Sequence, residues 1–160
     1  MLLYVMNTVS LVVSDSIHES SDHIVHDDYF NGSRFGWMIL FGIVGVLIRY
    51  FLNIFFAHVL KTDTFWSTLI INISGCAIIG VVQVVGVEQM NINIDLRYGL
   101  MVGLFGGYTT FSGYCLDTVL LSERNQLKYT IIGIFYCIIS PGLGLAATYT
   151  AIRLTRKHYE

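Results

Sequence analysis

The sequence predicts an all-α membrane protein of four transmembrane helices, the third broken near the middle of the bilayer. Three observations predict it. Of 160 residues, 54% are hydrophobic and only 12% are charged, about half the charged share of an ordinary globular chain. Four apolar runs recur between short polar stretches, each long enough for a helix to cross the hydrocarbon layer. One run contains a poor helix former, Gly103 to Tyr114, read GLFGGYTTFSGY. Its glycines lower helix propensity and the threonines that follow are stiff at χ1. In lipid an unwound turn is tolerated only where it is buried in protein or lines a polar cavity. Freed carbonyls there can hold a cation, and freed N–H groups and hydroxyls can meet an anion. The bland reading of the same glycines is a surface for tight helix packing.

Residues 1–34 form an extension that is expected to be poorly ordered. Met1 to Val13 is apolar but too short to span and lacks a basic leader. Ser14 to Ser33 is polar and acidic. His18, His23 and His26 stand near Asp27 and Asp28, but their spacing is not that of a metal site, and a solvated tail is the expectation. The first span covers about 36–57. Gly42 and Gly45 share a face that permits close helix approach. Arg49 interrupts this run. At mid-bilayer an arginine costs at least about 2.5 kcal/mol, so it either anchors at an interface or serves as a vestibule charge that attracts anions.

The second span, about 65–87, holds 23 residues without a charge, roughly 35 Å of helix. Asn72 lies in its first third. Its amide needs a partner: either a neighbouring helix, which it would glue, or a wet pore. The third span, about 96–121, carries the break and, a turn or so past the aromatic cluster, Asp117. That carboxylate reads as interfacial or as a pore-mouth group. The fourth span, about 129–152, is uncharged, and Pro141 is expected to kink it. Tyr136 and Ser140 are four apart and share a face. Residues 155–160 read as a basic tail at a headgroup surface.

Cys76, Cys115 and Cys137 lie inside apolar runs and read as small packing residues. The net charge of -2, with no basic stripe, excludes a nucleic-acid partner. No nucleophile–base set or phosphate loop is present, so an enzyme is not expected. Four spans put both termini on one side with Arg34, Arg97, Arg153, Arg156 and Lys157, against Lys61, Arg124 and Lys128 on the other. So weak a bias specifies orientation poorly. A chain that inserts both ways can pair antiparallel with itself, and four short spans hardly enclose a private pathway, which argues for an oligomer.

Four motifs, in order, resemble the CrcB/Fluc fluoride channels over about 35–154. They are GIVGVLIRY from Gly42 to Tyr50, STLIINISG from Ser67 to Gly75, GLFGGYTTFS from Gly103 to Ser112, and the Tyr136, Ser140, Gly144 pattern. The third is the most specific. The resemblance implies an antiparallel, dual-topology dimer with two pores along the subunit interface, in a cell membrane. It implies a sodium ion at the dimer centre, held by main-chain carbonyls that fall on Gly106 and Thr109. Aromatic edges lining the fluoride path fall on Phe111 and Tyr114, the pore asparagine on Asn72, and the first-span arginine on Arg49. Hydroxyls of a polar track match Thr110 and Ser112, and also Tyr136 and Ser140. The implied function is passive export. Neutral HF enters from an acid exterior and ionises inside, and the membrane potential then drives fluoride out.

Three departures from that pattern stand out. Gly113 and Tyr114 follow TTFS where the family has Thr-Phe, which removes a hydroxyl and adds a phenol able to donate to the ion or to narrow the path. Asp117 replaces a glutamate. The extension of about thirty residues is unusual. Besides a homodimeric channel, these changes fit a subunit that works beside a paralogue in a heterodimer. A small dual-topology multidrug-type transporter is the other alternative, but its usual first-span glutamate is missing here.

Overall fold

The computed structural model describes residues 31–124 and 126–160. The extension with its three histidines lies outside the described residues. Helix α1 is Gly32–Ile54 and continues through wider π-helical turns over Phe55–Leu60. Helix α2 is Thr64–Val82, continued likewise over Gln83–Gln89. The next segment, α3, joins Ile94–Tyr98, Gly99–Leu104 and Phe105–Tyr108. Helix α4 is Phe111–Glu123 and helix α5 is Leu127–Tyr159. No strand occurs among the described residues.

Three of these helices, Gly32–Leu60, Thr64–Gln89 and Leu127–Tyr159, are long and apolar enough to cross a membrane. The chain is therefore built as a membrane protein. Its outer surface agrees: Ile39, Leu40, Ile43, Leu47 and Phe51 of α1 are all exposed, an apolar face that a water-soluble monomer would not leave open. Helix α5 reaches Tyr159, so the residues expected as a tail are its final turns. It also runs through Pro141 without interruption.

Turn chemistry closes the loops. Lys61 takes a left-handed conformation (φ 52°) and its N–H caps Phe56. Asn93 caps α3, its side chain accepting from the N–H of Asp95 at 2.8 Å. Ion pairs tie the helix ends together. Arg34 meets Asp95 at 3.1 Å, joining the starts of α1 and α3. Arg156 meets Glu88 at 2.6 Å, joining the ends of α5 and α2. Arg124 meets Asp63 at 2.9 Å, joining the end of α4 to the start of α2.

Glycines set how closely the helices approach. A Cβ at Gly45 would fall on the carbonyl of Leu104, one at Gly103 would stand 2.6 Å from the carbonyl of Met38, and one at Gly107 would stand 2.6 Å from that of Gly42. Helices α1 and α3 thus meet backbone to backbone, the small-residue packing of membrane helices. Helices α2 and α5 also approach closely, where Gly80 faces the backbone of Thr148 and Gly144 faces the side chain of Cys76. The hydroxyl of Thr148 donates to the carbonyl of Cys76 at 2.8 Å across that contact. The small core lies between α2, α4 and α5, around Phe65, Leu121 and Tyr136.

Candidate functional site

Helix continuity fails at two residues. Thr109 is extended (φ -80°, ψ 163°), and so is Thr110 (φ -148°, ψ 114°). The N–H of Thr109 still closes on Phe105 at 2.9 Å. The N–H of Thr110 does not turn back to Gly106, four residues before it. It donates to Oδ1 of Asn72 at 2.8 Å, while Nδ2 of Asn72 donates to the Thr110 carbonyl at 3.0 Å. One amide side chain therefore stands in for a backbone neighbour on both sides of one residue. These two bonds join α2 to the break. The second amide hydrogen of Asn72 is not spent on Thr110.

The Thr109 carbonyl is also taken up. Arg49 donates to it through Nη1 at 3.1 Å, so the arginine of α1 reaches the break itself. A carbonyl oxygen retains a second lone pair in such a bond. The Thr110 hydroxyl caps α4, accepting from the N–H of Gly113 at 3.0 Å. It lies 3.3 Å from the hydroxyl of Ser112. Tyr108, just before the break, shares a 2.7 Å hydrogen bond with Ser74 of α2. Gly106 differs from the glycines around it. A Cβ there would meet nothing within 4 Å, so its own side is open while Gly103 and Gly107 press on α1. The open side of Gly106 and the packed sides of Gly103 and Gly107 lie on different faces of one segment.

Beyond the break runs a row of four rings. Phe111 and Tyr114 have centroids 5.6 Å apart, Tyr114 and Tyr136 5.3 Å, and Tyr136 and Phe65 5.7 Å. Phe111 is 78% exposed at one end and Phe65 is buried at the other. The Tyr114 hydroxyl donates to the carbonyl of Cys137 in α5 at 2.6 Å. The Tyr136 hydroxyl is buried and meets no hydrogen-bond partner among the described residues. Ser140, one turn further along α5, is buried as well.

Two cavities share this region. One, about 320 Å³, is lined by Asn72, Thr109, Thr110, Phe111, Tyr114 and Ser140 among others. The second, about 590 Å³, is lined by Phe65, Trp66, Tyr136 and Ser140 among others. Ser140 borders both. Gly106, Arg49, Ser112 and Asp117 line neither.

Asp117 is 8% exposed, and the reading of it as interfacial or pore-mouth did not anticipate how it is held. Its two carboxylate oxygens accept from Thr64 at 3.0 Å and from Thr68 at 2.6 Å. No basic side chain among the described residues forms an ion pair with it. Sequence reasoning gave Thr64 and Thr68 no role. A threonine pair four apart on α2 was the available signal, and nothing in linear spacing joins it to a carboxylate 49 residues away.

With this geometry in hand, the relatives are informative. The family described as CrcB-like protein, Camphor Resistance (CrcB), matches residues 36–152. A protein of Rhizobium etli named fluoride-specific ion channel FluC is 33% identical over 115 residues, 72% of this chain and 90% of its own length. Proteins of the same name from Pseudomonas fluorescens and Pseudomonas syringae are 37% and 36% identical over the same shares.

Proposed function

The chain belongs to the CrcB-like family, and on that premise we propose that it is a fluoride-selective ion channel of the cell membrane, not an enzyme. The relatives carry that name at 33–37% identity. Within the chain, the observation that carries the reading is one cavity lined together by Asn72, Thr110, Phe111, Tyr114 and Ser140, hydrogen-bonding groups and ring edges beside the break. Polar groups gathered in an apolar setting are costly unless something arrives to use them.

Fluoride is small and strongly hydrated, so a path for it must replace water with close donors. The hydroxyls of Tyr136, Ser140, Ser112 and Thr110, and the second amide hydrogen of Asn72, supply them in this reading. Ring edges of Phe111 and Tyr114 are electropositive and add to the set. Chloride is larger and cannot contract onto the same donors. Arg49 places a fixed positive charge against the break, which favours an anion nearby. The potential across the membrane then drives the ion outward.

The same reading gives four spans, with α3 and α4 together as one crossing interrupted near the bilayer centre. It gives an antiparallel, dual-topology dimer, of two copies or with a paralogue, because Phe111 stands open at the face where a partner would complete the path. A sodium ion at the dimer centre fits the residues present. The carbonyl of Gly106 has lost the N–H of Thr110 to Asn72, and Thr109 keeps a lone pair beside Arg49. Such oxygens suit a hard cation, and when bound it would add fixed positive charge and join the two breaks.

The test is fluoride efflux from liposomes holding the purified chain alone, read by electrode against a chloride control. Fluoride-selective efflux is expected, and Phe111→Ile is expected to slow it roughly tenfold, the equivalent of about 1.4 kcal/mol. No efflux from a well-folded dimer would point to a missing partner chain. Undiminished efflux from Phe111→Ile would remove that ring from the path.

A further inference from the structure

Pro141 is the only proline in the chain, and it lies inside α5. An α-helical N–H closes on the carbonyl four residues earlier, which for position 141 is Cys137. Proline has no N–H to give. The carbonyl of Cys137 is therefore stripped of its helical donor, within an apolar helix where an unpaired carbonyl is costly. The structure supplies another donor. The phenol of Tyr114, on α4, reaches that same carbonyl at 2.6 Å. The phenol oxygen also lies 3.5 Å from the Cys137 sulfur, a weaker acceptor.

We propose that Tyr114 and Pro141 act as a pair: the phenol satisfies the carbonyl that the proline orphans, and the bond makes Tyr114 a positioning residue for the anion path. Its bearing on conduction rests on the fluoride-channel reading. The phenol cannot at once hold Cys137 and donate to an ion, so the extra hydroxyl at this position acts through α5. The consequences are local. The Tyr114 ring lies tilted between Phe111 and Tyr136. Ser140 directly precedes the proline and borders both cavities. A loose Cys137 carbonyl would free the ring and the α5 backbone at the same point.

The experiment is a double-mutant cycle on the full chain: wild type, Tyr114→Phe, Pro141→Ala and the double variant. Each is measured for unfolding in detergent and for fluoride efflux from liposomes. In the Pro141 background, loss of the phenol is expected to raise the unfolded fraction about fivefold at fixed denaturant, the worth of one net hydrogen bond. Efflux is expected to slow as well. In the Pro141→Ala background, where residue 141 again has an N–H for Cys137, both effects should shrink to less than half.

Equal effects in both backgrounds would overturn the pairing. Coupled stability with unaltered efflux would reduce the bond to packing and overturn the positioning role. Coupled stability with an uncoupled loss of efflux would overturn it too, because the phenol would then act on the ion. A wild type that folds but passes no fluoride, with a coupled stability cycle, would defeat the channel reading and leave the pairing standing.

Discussion

The stretch 94–123 comes apart at Thr109 and Thr110, whereas Leu127–Tyr159 passes through Pro141 as one helix. Intrinsic propensity alone would rank them the other way, since proline costs a helix about 3 kcal/mol and glycine about 1. What differs is the number of backbone groups released and who receives them. At Pro141 the missing N–H frees one carbonyl, and one phenol takes it. At the break three groups turn outward to partners on other helices, and the Gly106 carbonyl also loses its helical donor. Asn72 receives the N–H and the carbonyl of Thr110, and Arg49 the carbonyl of Thr109. A membrane helix opens where its neighbours accept what it releases, and stays closed where a single donor suffices.

The sharpest way to break that comparison is to remove the main receiver. Asn72→Leu should leave both the N–H and the carbonyl of Thr110 unpartnered. At about 1–3 kcal/mol for each buried group, the chain should lose roughly 2–6 kcal/mol of stability in detergent unfolding, and efflux should vanish. Asn72→Asp keeps an acceptor for the N–H but sets a carboxylate against the carbonyl, and should fold no better. If Asn72→Leu unfolds like wild type, the break does not depend on this amide.

A second pair of variants separates the two faces of the glycine run. Gly103→Ala would bring a methyl 2.6 Å from the carbonyl of Met38 and must push α1 from α3, an overpacking cost of about 1–3 kcal/mol. Gly106→Ala meets nothing within 4 Å and should change stability little. Thermal unfolding of the two side by side decides it. Equal losses would mean that the glycines matter for backbone freedom and not for helix approach.

How much of this was legible follows from range. Each apolar run, the adjacent glycines and the lone proline are local signals, and three of the apolar runs are helices long enough to cross a membrane. The sequence also marked Asn72 as needing a partner, because an amide in an apolar run cannot stand alone. It could not name Thr110, 38 residues on. The same limit hid the hold of Thr64 and Thr68 on Asp117. It also hid the phenol–proline pair, since Tyr114 read as a change in the path and Pro141 as a kink. Helix spacing tells which residues share a face, but not which face of another helix they meet. The turns of α5 beyond 154 were read as a tail because their basic residues break the apolar pattern, yet Arg156 is held by Glu88 and the helix continues.

That last contact gives the smallest expected effect and tests the far end of the same two helices. The guanidinium of Arg156 donates to both carboxylate oxygens of Glu88, at 2.9 and 2.6 Å, just past the apolar run of α2. The hydrogen bond from Arg156 holds the Glu88 carboxyl below its ordinary value of 4.5. A carboxyl with a lowered folded-state pKa contributes stability that is complete above its unfolded value and is lost as pH falls through the folded one. The pair should therefore help at neutral pH and fade below about pH 4.5. Both side chains are partly exposed, so the contribution should be about 0–1 kcal/mol, well below that of Asn72. Arg156→Ala should lower the unfolding midpoint slightly at pH 7 and by less as pH falls from 4.5 toward 3, measured in detergent at constant salt. An equal loss at both pH values would mean that Arg156 stabilises α5 by packing its stem, with the charge incidental. The ends of α2 and α5 would then be joined as their middles are, by close contact and not by polar exchange.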